Sequence, residues 1–190
     1  MNKATNPSLD LANKEFPANI VLEKWADIGF VWSGEVAVAS FERLSTHVNL
    51  TNQTRQHKNL TVQVNLQKTL GILWLTFDVV GELIVSCQRC LEDMNIDIIN
   101  QYRLAILSHE SQIEQVKDAE YVLVDEINGE GVRKMLPIKD LLEDELLLVL
   151  PLSPRHSECE MPIEMVDAND DDEMADNPFA VLVALKGKLN

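Results

Sequence analysis

The 190-residue chain predicts an α+β fold: an antiparallel β-sheet core, a Leu-rich helix and a short C-terminal helix. Two observations carry that class. From Leu60 to Ile106 apolar residues recur largely at period two, the spacing of strands. From Pro137 to Leu150 they recur at helical spacing, bracketed by prolines.

Residues 1–14 are polar and read as a loose start. Val21, Leu22, Trp25 and Ala26 share a helical face, so a short helix is expected from Phe16 to Ala26. Trp32 opens the β region, Phe41–Leu44 reads as a bridging segment, and Asn49–Lys58 as a polar loop. Leu60, Val62, Val64 and Leu66 alternate with Thr61, Gln63 and Asn65, which predicts a half-buried strand. Gly71–Val80 is apolar on both faces, with Ile72, Trp74 and Thr76 on one and Leu73, Leu75, Phe77 and Val79 on the other. That predicts a central strand.

Gly81-Glu82 reads as a turn or bulge before the short strand leading to Cys87. Beyond Cys90, Met94, Ile96, Ile98, Asn100, Tyr102, Leu104 and Ile106 mark a long strand. Ser108–Ala119 reads as a loop or short helix, and Tyr121–Val124 as a further strand closed by Asn128-Gly129. Pro137 then opens the Leu-rich helix. Leu141, Leu142, Leu146, Val149 and Leu150 form its buried face, while Glu143, Asp144 and Leu147 point away; Pro151 and Pro154 stop it.

Charge divides the chain. Residues 1–109 hold 11 acidic and 9 basic side chains, residues 110–156 hold 11 and 5, and residues 157–190 hold 9 and 2. All nine of those last carboxylates fall in Ser157–Asp176, a composition too polar to order itself. The expected organisation is one domain over 1–156, a flexible acidic linker over 157–176, and a short helix over 177–190 with Asn177 as its cap. A net charge of -15 disfavours bulk attraction to phosphate backbones. The cations Arg43, Arg55, Lys58, Lys68, Arg89 and Arg103 read first as scattered solvated charges and second as a local basic face.

No apolar run is long enough for a transmembrane helix, and Met1–Pro7 lacks the apolar stretch of a signal peptide. An odd cysteine count with one C-x-x-C suits a reducing interior, so a cytoplasmic location with no membrane partner is expected.

The chemistry-bearing residues are Cys87-Gln-Arg-Cys90 and the later His156 and Cys159. Together they supply the ligand types and number of a Cys3His zinc site. Strands on both sides place the dithiol at the tip of a hairpin, away from the helix N-terminus that activates redox thiols. Metal ligation, a reduced structural pair and a redox dithiol are the three readings. A loop histidine such as His156 is more commonly a solvated side chain than a ligand.

Three segments resemble the YceD family, the large ribosomal RNA subunit accumulation proteins of bacteria. They are Cys87-Gln-Arg-Cys90-Leu91, the run Asp140–Pro151 with Pro154-Arg-His156 behind it, and Asn177-Pro-Phe-Ala-Val-Leu182. The resemblance implies a ribosome-biogenesis factor that supports accumulation or processing of large-subunit ribosomal RNA. Its partners would be precursor RNA, ribosomal proteins or both. It implies no catalytic residues, and it favours a metal site of Cys87, Cys90, His156 and Cys159. The alternative is a thiol redox protein using Cys87 and Cys90.

Other chemistry finds little support. Glu143-Asp144-Glu145 splay around a helix, so they read as its solvated face and not as a divalent-ion site. Asp170–Glu173 lacks the glycine turn and closing Glu of a calcium loop. No phosphate-cradling Gly-rich loop or nucleophile elbow is present, so neither a small-molecule substrate nor an enzyme is expected. Trp25, Trp32 and Trp74 read as core aromatics.

Overall fold

The computed structural model describes residues 15–50, 59–125 and 134–162. The chain divides into two compact units, Met1–Glu160 and Met161–Asn190. The expected C-terminal helix over 177–190 and most of the acidic linker lie outside the described residues, as do Asn128-Gly129.

The first unit has the expected α+β architecture. Its main sheet has five strands: β2 (Phe30–Ala37), β3 (Asn59–Thr69), β4 (Ile72–Ser86), β5 (Asp93–Leu107) and β6 (Glu120–Leu123), in that spatial order. β2 through β5 pair antiparallel with their neighbours. β6 pairs in parallel with the end of β5, because a 3-10 turn at Glu110–Gln115 carries the chain back before it rejoins the sheet. A second ribbon joins β1 (Ile20–Val21) to β7 (Met135–Leu136). Among the described residues the complete α-helices are α1 (Leu22–Trp25) and α2 (Ile138–Val149).

Alternation does what the sequence pattern demanded. Leu60, Val62, Val64 and Leu66 of β3 are buried, as are Leu75, Phe77, Val79, Leu83 and Val85 of β4. β4 is the middle strand. α2 closes this face with Ile138, Leu142 and Leu146, completing the main core. On the opposite face Ile72, Ala105, Leu107, Val116 and Leu123 form a smaller cluster.

Three local expectations are corrected. The helix expected over Phe16–Ala26 shrinks to one turn, since Ile20 and Val21 are drawn into the ribbon with β7. Gly81-Glu82 is no turn, for β4 runs through it unbroken. A Cβ at Gly81 would sit 2.5 Å from Leu60 Cδ2, so glycine here permits close strand packing. Trp74 is not in the main core; it lies half-buried on the far face beneath the Arg103 guanidinium, 3.9 Å from its ring centroid. Trp32 is buried as expected, with Phe16 edge-on at 4.9 Å.

The largest correction is on α2. Glu143 was expected to point into solvent but is only 3% exposed. Its Oε1 accepts the backbone N–H groups of Arg43 (2.6 Å) and Leu44 (2.9 Å), and its Oε2 accepts Nε and Nη2 of Arg43 at 3.3 Å. Leu44 begins a 3-10 turn, Leu44–Thr46, whose leading N–H groups have no partner of their own. The carboxylate supplies one from 100 residues away. Glu145 is buried too, at 8% exposure. Of the acidic trio only Asp144 stays on the solvated face, as expected.

Candidate metal centre

β4 and β5 are joined at the tip by Cys87–Glu92, closed when the Cys87 N–H donates to Glu92 O (2.8 Å) and the Leu91 N–H to Cys87 O (2.9 Å). Leu91 takes a left-handed conformation, φ 64°, to make so tight a return. This is the hairpin knuckle the flanking strands predicted. It presents Cys87 and Cys90 on one side.

α2 ends at Val149, and Pro151 and Pro154 steer the following chain out of helix and across the knuckle. The two middle residues of the tetrapeptide hold it there. Gln88 donates its N–H to Pro154 O (2.8 Å), accepts Ser153 Oγ–H at 2.8 Å, and reaches Leu152 O at 3.4 Å. Arg89 donates from Nη1 to Cys159 O at 3.1 Å. Sequence reasoning missed this docking role of both residues, naming Arg89 only as a cation. The bracketing prolines and the polar pair inside a C-x-x-C were the only signs available.

The result brings all four predicted donors together. One ligand atom from each of Cys87, Cys90, His156 and Cys159 lies within 4.8 Å of all the others. Cys87 Sγ is 3.7 Å from Cys159 Sγ, and Cys90 Sγ is 3.3 Å from His156 Nδ1. Cys87 is fully buried, the other three half-buried, and all three thiols are free of disulfides. The cluster is close enough to hold a metal ion.

Electrostatics separates the sulfurs. The Cys87 thiol is pulled down to about 5, chiefly by the backbone N–H of Cys90; burial opposes this, and the N–H groups of His156 and Arg89 add to it. The latter two donate to Cys87 Sγ at 3.4 Å each. Cys159 moves the other way, raised by burial and then by its sulfur neighbours. A thiolate at Cys87, ringed by N–H donors, is the protonation state a metal ligand needs.

The other sequence-singled cations do not gather. Arg43 is taken up by Glu143 and Asp144, Lys68 pairs with Asp27 at 3.3 Å, Arg89 holds Cys159 O, and Arg103 covers Trp74. Arg55 and Lys58 lie outside the described residues. Each of the other four is engaged at a different place. No local basic face is assembled from them.

A family model described as large ribosomal RNA subunit accumulation protein YceD matches residues 75–186. The chain belongs to the YceD family. No curated protein and no solved structure matches it. The matched stretch takes in most of β4, all of β5 and α2, and every donor of the cluster. The YceD description names a role in large-subunit RNA accumulation and names no reaction. No helix among the described residues is long and apolar enough to cross a membrane.

Proposed function

We propose that this YceD protein is a non-catalytic biogenesis factor for the large ribosomal subunit, built around a structural zinc site and acting by binding precursor RNA or a ribosomal protein in the cytoplasm. The family match over residues 75–186 carries the ribosomal reading. The acidic balance, -15 overall, favours a basic protein partner over indiscriminate phosphate binding.

The donor set fits zinc. Bond lengths of about 2.3 Å to sulfur and about 2.0 Å to nitrogen place tetrahedral S···S edges near ~3.8 Å and S···N edges near ~3.5 Å. The 3.7 Å and 3.3 Å separations found here fall close to both. Bound there, zinc would cross-link the knuckle to the segment after α2, with Cys87, Cys90, Cys159 and His156 Nδ1 as ligands. Four protein donors leave no open position for chemistry, which is the pattern of a structural site. A redox role fits less well: Cys87 has the depressed thiol but is wholly buried, and a third sulfur and an imidazole crowd the pair.

In-cell crosslinking of the tagged protein tests the partner. Crosslinks concentrated on large-subunit precursor RNA or on large-subunit ribosomal proteins are expected; neither, in actively growing cells, would sink the ribosomal reading. The acidic tail is proposed to repel nonspecific RNA. Deleting residues 163–176 spares Cys159 and should raise RNA retention at low salt, whereas unchanged retention would remove that role.

A further inference from the structure

β5 is paired along one side from Asp93 to Ile106, yet β6 covers its other side only from Leu104 to Leu107. Among the described residues, no strand pairs with the stretch Asp93–Arg103 on the side away from β4. An open strand edge of that length offers alternate N–H and C=O groups to any extended chain. Beside the exposed charges Asp97 and Arg103 it presents apolar side chains: Ile99 is 75% exposed, and Met94, Ile96 and Tyr102 are only half covered.

Glu145, on α2, is an electrostatic neighbour of Tyr102 in this stretch. It is 92% buried from solvent, since only 8% is exposed, and makes no hydrogen bond or ion pair among the described residues. Its neighbours are of its own sign: burial first, then Glu120 and Asp144, push its carboxyl pKa up. Glu120 is the residue with which β6 begins, opposite Leu104. Tyr102 lies close enough that Glu145 adds to the rise which burial imposes on its phenol, against the Asn100 amide. The carboxylate therefore has Tyr102, of the open stretch, and Glu120, of the strand that ends it, among its electrostatic neighbours. Buried charges are ordinarily paired.

We propose that the β5 edge from Asp93 to Arg103 accepts an extended basic peptide segment of a partner protein as an added strand, with one of its cationic side chains pairing with Glu145. Backbone ladder bonds supply the attachment, and the half-covered apolar side chains of β5 favour apolar residues at alternate peptide positions. Asp97, exposed on the opposite face of the strand, extends the preference for cations. The inference rests on the strand edge and Glu145 and needs neither the zinc site nor the ribosomal reading.

Hydrogen exchange on the full chain tests it, with a short capped peptide alternating Lys and Val as probe. The alternate amides between Asp93 and Arg103 that point away from β4 should exchange quickly alone and gain protection with the peptide. A Glu-Val analogue, and a Lys-Val peptide N-methylated on alternate amides, should both fail. Glu145→Gln should weaken binding about tenfold or more while leaving the fold intact by circular dichroism. Protection of those outward-pointing amides before any peptide is added would overturn the proposal, because the chain would already cover its own edge. Equal binding of the N-methylated peptide, equal binding by Glu145→Gln, or the same protection from a single-stranded RNA oligonucleotide would overturn it as well.

Discussion

Two places in this molecule tie together parts of the chain that are far apart in sequence, and they do so by different chemistry. The knuckle joins Cys87 and Cys90 to His156 and Cys159 across 66 to 72 residues. The Glu143 latch joins α2 to the turn at Arg43 and Leu44 across about 100. The first uses scarce residue types in short-spaced pairs, so it could be read from the sequence. The second uses one glutamate among many and two backbone N–H groups, which no residue type announces. The family match takes in the whole knuckle but only the Glu143 side of the latch, since Arg43 and Leu44 precede residue 75. Chemistry built from rare donors is legible; chemistry that serves the backbone is not.

The comparison breaks most sharply at the knuckle. If the donors hold zinc, purified protein should carry close to one equivalent by elemental analysis, and Cys87→Ser should lose it. Stripping the metal with a chelator should cost about 4 kcal/mol where free zinc stands a thousandfold above its Kd, read as a lower Tm. A metal-free protein with unchanged Tm would make the knuckle a hydrogen-bonded turn and no more.

Next in size is the latch. Glu143→Ala leaves the buried Leu44 N–H and the Arg43 N–H without acceptors and should cost about 2–4 kcal/mol in denaturant unfolding. Glu143→Gln keeps one acceptor oxygen and should lose roughly half as much. Equal losses would mean that the charge, and not the backbone bonds, holds the turn. Asp144 is the outer partner of Arg43 at 2.5 Å, and both side chains are about half exposed. Asp144→Asn should therefore cost less than ~1 kcal/mol and fade with added salt.

The smallest effect has the opposite sign. Glu145 is buried like Glu143 but has no hydrogen-bond or ion-pair partner among the described residues, and its carboxyl pKa is raised. A raised folded-state pKa favours the protonated form, so its penalty is absent at low pH and grows as pH rises from the ordinary carboxylate range through the folded value. Glu145→Gln should raise Tm by about 1–3 °C at neutral pH and leave it nearly unchanged in acid. A fall in Tm at neutral pH would show that Glu145 has a partner in the folded chain.

Much of the sheet was legible because period two is a direct readout of burial: β3, the central place of β4 and the length of β5 all follow from it. What the pattern could not carry was information about neighbours. Gly81 reads as a turn residue until Leu60 is found packed against it. Ile20 and Val21 read as helix until Met135 and Leu136 pair with them. The parallel register of β6 depends on the path of the Glu110–Gln115 turn. At the site, the four donors were named from the sequence alone, while the docking roles of Gln88 and Arg89 needed the path of residues 152–159.

Both long-range ties also set an order in time. At about 5–20 residues per second of synthesis, the knuckle thiols emerge several seconds before His156 and Cys159 exist, and the turn at Arg43 waits longer still for Glu143. Every strand of the main sheet is thus made before the helix that covers it and before the segment that completes the donor set. The last-made stretch of the first unit is the one that closes it, so a chain cut short before Cys159 would leave two thiols uncovered.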